Sequence, residues 1–114
     1  MQRLPKAIQP VQLGTSAGVL YTAPSSTTAT VNNFSLTNTN ANPVPVTLYA
    51  VPSGGTPSAA NAIMSAFSLS GGQTLVPAQV IGLQLAPGAT LQALAGTATS
   101  ITAAGGVYET SGSP

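Results

Sequence analysis

The sequence has no histidine, no cysteine and no aspartate. Its charged side chains are Arg3, Lys6 and Glu109, 3% of 114 residues, against about 25% in an ordinary globular domain. Each absence removes a class of function. General acid–base catalysis relies on groups that exchange protons near neutral pH, chiefly His, Glu and Asp. A serine or threonine nucleophile needs an adjacent base, yet the only carboxylate side chain is Glu109 and the only side-chain amine is Lys6. No Ser-His-Asp constellation can be drawn. Zinc sites draw on Cys, His and carboxylate, and calcium sites on several carboxylates. One chain can assemble neither. The expectation is a protein that is not an enzyme and that holds no cofactor and no metal. Without cysteine, no disulfide contributes to stability.

The shortage of charge also constrains partners. Two cations cannot make a patch that neutralises phosphates, so direct nucleic-acid binding is not expected. No run of about 18 apolar residues is present, so no transmembrane helix is expected, and residues 1–10 contain no apolar core of a secretory signal. A net charge of +1 favours association over repulsion, and the cores of protein interfaces are depleted in charge. Serine, threonine, asparagine and glutamine must therefore supply the polar surface. Much of that surface is expected to be covered by other subunits, with homo-oligomers as one form of the contact.

What is there reads as β-structure in a single domain. Short runs rich in Val, Leu, Thr and Tyr alternate with Gly, Pro, Asn and Ser clusters, which is the signature of a sandwich or barrel. Residues 1–10 hold both cations with Pro5 and Pro10, and read as an extended N-terminal arm. Residues 11–110 read as the sandwich and residues 111–114 as a short C-terminal tail. Within the sandwich, Gly18-Val19-Leu20-Tyr21-Thr22 is a strand. Along residues 28–38, Phe34, Leu36 and Asn38 share a phase that Val31 does not, so a bulge is expected near Asn32-Asn33. Asn38-Thr39-Asn40-Ala41-Asn42-Pro43 reads as the turn of a hairpin. After it, Val44, Val46 and Leu48 alternate with Pro45, Thr47 and Tyr49, which places the first set on the core face. Pro45 lacks an amide hydrogen and marks a sheet edge or strand end. Residues 58–66 read as a loop leading into a strand, although their alanines favour helix. Ala86-Pro87-Gly88-Ala89 fits a type II turn. The pairs Gly54-Gly55, Gly71-Gly72 and Gly105-Gly106 read as turns, since no lysine or helix follows them as a phosphate loop requires. The fold class is all-β, a single antiparallel β-sandwich of Ig-like or jelly-roll type with about seven to nine strands.

The stretch from Phe34-Ser35-Leu36-Thr37-Asn38 through Val44-Pro45-Val46-Thr47-Leu48-Tyr49-Ala50-Val51-Pro52-Ser53-Gly54-Gly55, with the later Leu85-Ala86-Pro87-Gly88-Ala89-Thr90-Leu91, resembles the small β-sandwich structural proteins of tailed bacteriophage virions, of capsid decoration or tail and neck accessory type. The resemblance is one of strand-and-turn style over roughly residues 14–110 and includes no catalytic or ligand motif. It implies a virion component that packs on or into a phage particle, with capsid decoration first. Its partners would be the major capsid protein or tail and neck subunits. A tail, neck or fibre accessory subunit is one alternative, and a host- or carbohydrate-binding adhesion module another. The arm is the expected anchor, through Arg3, Leu4, Lys6 and Ile8: an extended segment can add to a neighbour's sheet edge.

Overall fold

In the computed structural model, which describes residues 3–111, β-branched and apolar alternation produces nine strands and one turn of 3-10 helix. The strands are β1 (Arg3–Gln12), β2 (Gly18–Thr22), β3 (Thr27–Asn38), β4 (Val44–Val51), β5 (Ala62–Leu69), β6 (Thr74–Leu75), β7 (Gln84–Leu85), β8 (Thr90–Ala95) and β9 (Ile101–Ser111). The 3-10 turn, Ala59–Asn61, precedes β5 and is closed by a capping box between Ser58 and Asn61. One sheet has the order β1-β9-β3-β6, with β7 also on β3, and the other has the order β2-β8-β4-β5. All pairings are antiparallel. The protein is thus an all-β sandwich. If β6 and β7 are taken as one interrupted strand, the pairings nest: β4 with β5, β3 with β6 and β7, β2 with β8, β1 with β9. That nesting is the jelly roll, and it selects between the two sandwich types expected from the sequence.

The core lies between the sheets and is built from the inward phase of each strand. Val44, Val46 and Leu48 are buried, as the alternation in β4 requires, and pack with Phe34, Leu36 and Ile101. The register of β3 on β9 shifts between Val31 and Asn33. This is the expected bulge, and it brings Val31 and Phe34 onto the same side of the sheet. Pro45 is the second residue of β4, where a missing amide hydrogen is tolerated. The Pro87-Gly88 turn forms as expected: Ala89 N–H donates to Ala86 C=O at 2.9 Å and Gly88 has φ +83°.

Three expectations are corrected. The segment at residues 38–43 is not a hairpin turn, because β3 belongs to one sheet and β4 to the other. It is an arch between the sheets, organised by fully buried Asn38. The Asn38 amide donates to Asn42 C=O and Leu69 C=O, both at 2.9 Å, and its carbonyl accepts from Asn40 N–H at 2.8 Å. Gly105-Gly106 is not a turn either but the middle of β9. A Cβ on Gly105 would lie 2.3 Å from Asn33 C=O and 2.9 Å from Phe34 Cα, so the β3 bulge leaves room only for glycine there. Finally, the extended conformation of residues 3–10 is not that of a free arm. It runs on to Gln12 as an edge strand on β9, and the boundary drawn between residues 10 and 11 falls inside β1. Prolines are acceptable on an edge, where the outward N–H makes no ladder bond. Met1, Gln2 and residues 112–114, most of the expected tail, lie outside the described residues.

Candidate functional site

The one carboxylate side chain is already engaged. Tyr21 on β2 and Glu109 on β9 belong to opposite sheets, and the Tyr21 hydroxyl donates to Glu109 Oε2. Burial, followed by the hydrogen bond and negative charge of Glu109, pushes the Tyr21 phenol well above its ordinary value. The pair is an inter-sheet latch. Glu109 has no imidazole or second carboxylate to tune it as a proton-transfer group, because the chain contains none. An open cleft of about 530 Å³ lies where β4, the 3-10 turn and β7 converge. It is lined by Val51, Pro52, Asn61, Ile63 and Leu85 among others, and no lining residue is ionisable.

The four residues singled out in the arm are brought onto β1, where the pairing places each one. Arg3 stands opposite Thr110, Leu4 opposite Glu109, Lys6 opposite Val107 and Ile8 opposite Gly105. Leu4 is 49% exposed and Lys6 is exposed, whereas Ile8 is 2% exposed. Ile8 is therefore committed to this chain's own core, leaving Leu4 and Lys6 as the accessible members of the set. A register shift between Ile8 and Val11 puts a bulge at Gln9-Pro10. With two prolines, two cations and a bulge, β1 has the devices that keep an edge strand from pairing further.

The edges of the sandwich are guarded unequally. β2 is short and irregular, with a register shift between Val19 and Tyr21. β6 and β7 are two residues each. The segment between them reaches across to β5, where the Gln79 amide donates to Ile63 C=O at 3.3 Å. β5 is different: Ala-Ile-Met-Ser-Ala-Phe-Ser-Leu contains neither charge nor proline. Its register on β4 slips twice, between Val46 and Leu48 and between Leu48 and Tyr49. At the first slip Ala66 has φ +49°, a left-handed conformation that costs a non-glycine residue about 1 kcal/mol. Thr47 holds it there, its Oγ1 accepting the Ala66 N–H at 3.0 Å. Thr47, expected outward from the alternation, is instead buried at 9% exposure. Ser65, Ala66, Phe67 and Ser68 are exposed in succession. Phe67 is the large one, at 43%. Sequence reasoning missed Phe67 and the latch. The only signals for either were an aromatic in a run without charge or proline and the uniqueness of Glu109.

Neither a known protein family nor a curated protein sequence matches the chain. Among solved structures, a chain of the T13 IBDV viral particle is 15% identical with a TM-score of 0.43, over 94% of this chain and 30% of that one. A chain from the Gt strain of infectious bursal disease virus is 16% identical with a TM-score of 0.43, over 95% of this chain and 32% of that one. The chain spans about a third of the length of each viral chain. At that identity and superposition the likeness carries no functional argument.

Proposed function

We propose that this protein is a structural component of a virion, without enzymatic activity, and that it packs as a capsid decoration protein on the lattice of a tailed bacteriophage. The observation that carries the reading is a jelly-roll sandwich almost empty of charge. Its three charged residues lie on the adjacent strands β1 and β9. The rest of the exposed surface is hydroxyl, amide and apolar, with Val19, Phe67, Val76 and Ile81 among the larger apolar groups, so a neighbour can cover it without desolvating an ion. Jelly rolls recur in viral capsid domains, and also in lectins and cupins. The architecture is therefore an analogy that agrees with the sequence resemblance rather than a separate proof. In this reading β1, on which Leu4 and Lys6 are exposed, lies toward the major capsid protein.

Cryo-EM of purified particles tests the assignment. Density for this sandwich on the capsid lattice is the expected result; density confined to the neck, tail or fibres moves it to an accessory subunit, and absence from particles refutes the virion reading. Attachment is expected to be nearly insensitive to salt, since exposed ion pairs are worth about 0–1 kcal/mol each. Release by moderate salt alone contradicts a contact built on apolar burial and hydroxyl hydrogen bonds.

A further inference from the structure

The outer face of the β1-β9-β3 sheet breaks a local rule without a structural return. Thr30 of β3 stands opposite Tyr108 of β9 on one side and Gln84 of β7 on the other. The next residues along these strands, Val31, Val107 and Leu85, are buried. By the alternation of strands, Thr30, Tyr108 and Gln84 therefore share the outer face. The β3 bulge follows at once, and its extra residue is Asn32. Asparagine is depleted in strands, yet Asn32 and Asn33 sit side by side in the middle of a 12-residue strand. Neither has the positive φ that would favour asparagine there. Both are exposed, and among the described residues neither side-chain amide is held by a hydrogen bond. A local rule broken with no compensation inside the chain points to a role outside it, and bulges re-aim side chains at such places.

At this bulge Thr30, Val31, Asn32, Ile81, Gly82 and Tyr108 line a cleft of about 280 Å³, at the small end of ligand pockets. Its apolar walls are the Tyr108 ring and Ile81, which is 40% exposed. Its polar side-chain groups are two hydroxyls and the Asn32 amide, and none of its lining residues is charged. We infer that the cleft binds one ring of a neutral saccharide, with the C–H face of the sugar against Tyr108 and Ile81 and its hydroxyl rim at the Asn32 amide and the Thr30 hydroxyl. The surroundings exclude the other occupants in turn. An added peptide strand has no ladder to join, because Val31 N–H already donates to Leu83 C=O at 2.9 Å and Val31 C=O accepts from Gly82 N–H at 2.8 Å. A phosphate or carboxylate would meet no cation in the lining. A wholly apolar ligand would bury the Asn32 amide without a partner. Saccharide binding here goes beyond the virion reading and does not depend on attachment to a particle.

The test is an NMR titration of the isotope-labelled full chain with glucose, galactose, mannose and N-acetylglucosamine, and with glucuronate as the charged counterpart. At least one neutral sugar is expected to shift the backbone amides of residues 30–33, 81–82 and 107–108 at millimolar concentration, the range open to a single ring. Glucuronate should bind about tenfold more weakly, since its carboxylate is desolvated without a cation. Asn32→Ala and Ile81→Ser should each weaken binding about tenfold, while Val19→Ser on the other sheet leaves it unchanged. Asn32 is exposed, so Asn32→Ala should melt with the wild type, which separates lost binding from lost folding. No shift with any neutral sugar, shifts outside the cleft, or binding indifferent to both Asn32→Ala and Ile81→Ser overturns the inference. Glucuronate binding as tightly as the neutral sugars overturns the neutral class.

Discussion

The latch between Tyr21 and Glu109 makes a prediction with a definite sign in pH. Tyr21 must keep its proton to donate to Glu109, and its folded-state pKa lies above the ordinary tyrosine value of about 10. A group whose pKa is raised on folding contributes stability that is fully present below the unfolded pKa and is lost as pH rises toward the folded one. The latch therefore acts in full at neutral pH and fails only above about pH 10. A hydrogen bond to a charged acceptor contributes about 1.5–3 kcal/mol. Both residues are half-buried, so water replaces part of what is lost and the low end applies. At about 4 °C per kcal/mol for a domain of this length, Tyr21→Phe should lower the melting temperature by about 6 °C at pH 7. The assay is urea unfolding of wild type, Tyr21→Phe, Glu109→Gln and the double variant between neutral and strongly alkaline pH. Tyr49 and Tyr108 are present in all four proteins, so the difference between curves isolates Tyr21. Wild-type stability should fall more steeply above pH 10 than that of Tyr21→Phe. Glu109→Gln should reduce that extra slope, because the charge that helps hold the phenol protonated is gone. Parallel wild-type and Tyr21→Phe curves, or a coupling energy near zero in the double-mutant cycle, would refute the latch.

Other perturbations have equally specific outcomes. Leu48 is 0% exposed, and Leu48→Ala should cost about 2–5 kcal/mol by thermal or urea unfolding. Thr47→Val keeps the shape but leaves Ala66 N–H without its acceptor, and should cost about 1–2 kcal/mol; equal effects at the two positions would show that the β4 register is wrong. Gly105→Ala drives a Cβ into backbone atoms of the β3 bulge and should destabilise by about 1–3 kcal/mol or more, so a neutral result there contradicts the close approach of β3 and β9. Deleting residues 1–10 removes buried Ile8 and strips most of the β1 ladder from β9; the melting temperature should fall clearly, and an unchanged value would restore the picture of a free arm.

Much of this fold was legible because its signals are local. The Val44-Val46-Leu48 alternation, the phase break at Asn32-Asn33 and the Pro87-Gly88 turn each follow from a few neighbouring residues. What stayed hidden depends on partners far along the chain. Alternation shows that residues 28–38 and 44–51 are strands, but not that they enter different sheets, so an arch was read as a hairpin. Gly105-Gly106 carries the composition of a turn, yet the need for glycine at Gly105 comes from backbone atoms of Asn33 and Phe34 on another strand. Tyr21 and Glu109 meet across 88 residues. The prolines of β1 read as marks of an extended arm because the sequence does not say that this segment has a strand neighbour on one side.

The placement of charge joins the fold to the proposed role. With three charged residues, a chain can protect only one flank against unwanted pairing. Here Arg3 and Lys6 are on β1, and Glu109 stands on the adjoining β9, tied to Tyr21 of β2. The β1/β2 flank thus carries both cations, the prolines and bulge of β1, the register shift of β2 and the latch itself. The opposite flank has its sheet edge broken into β6 and β7 on one layer and ends at the uncharged β5 on the other. A monomer selected only for solubility would spread like charges over both flanks. Concentrating them on one flank leaves the other free of the ions that are costly to bury.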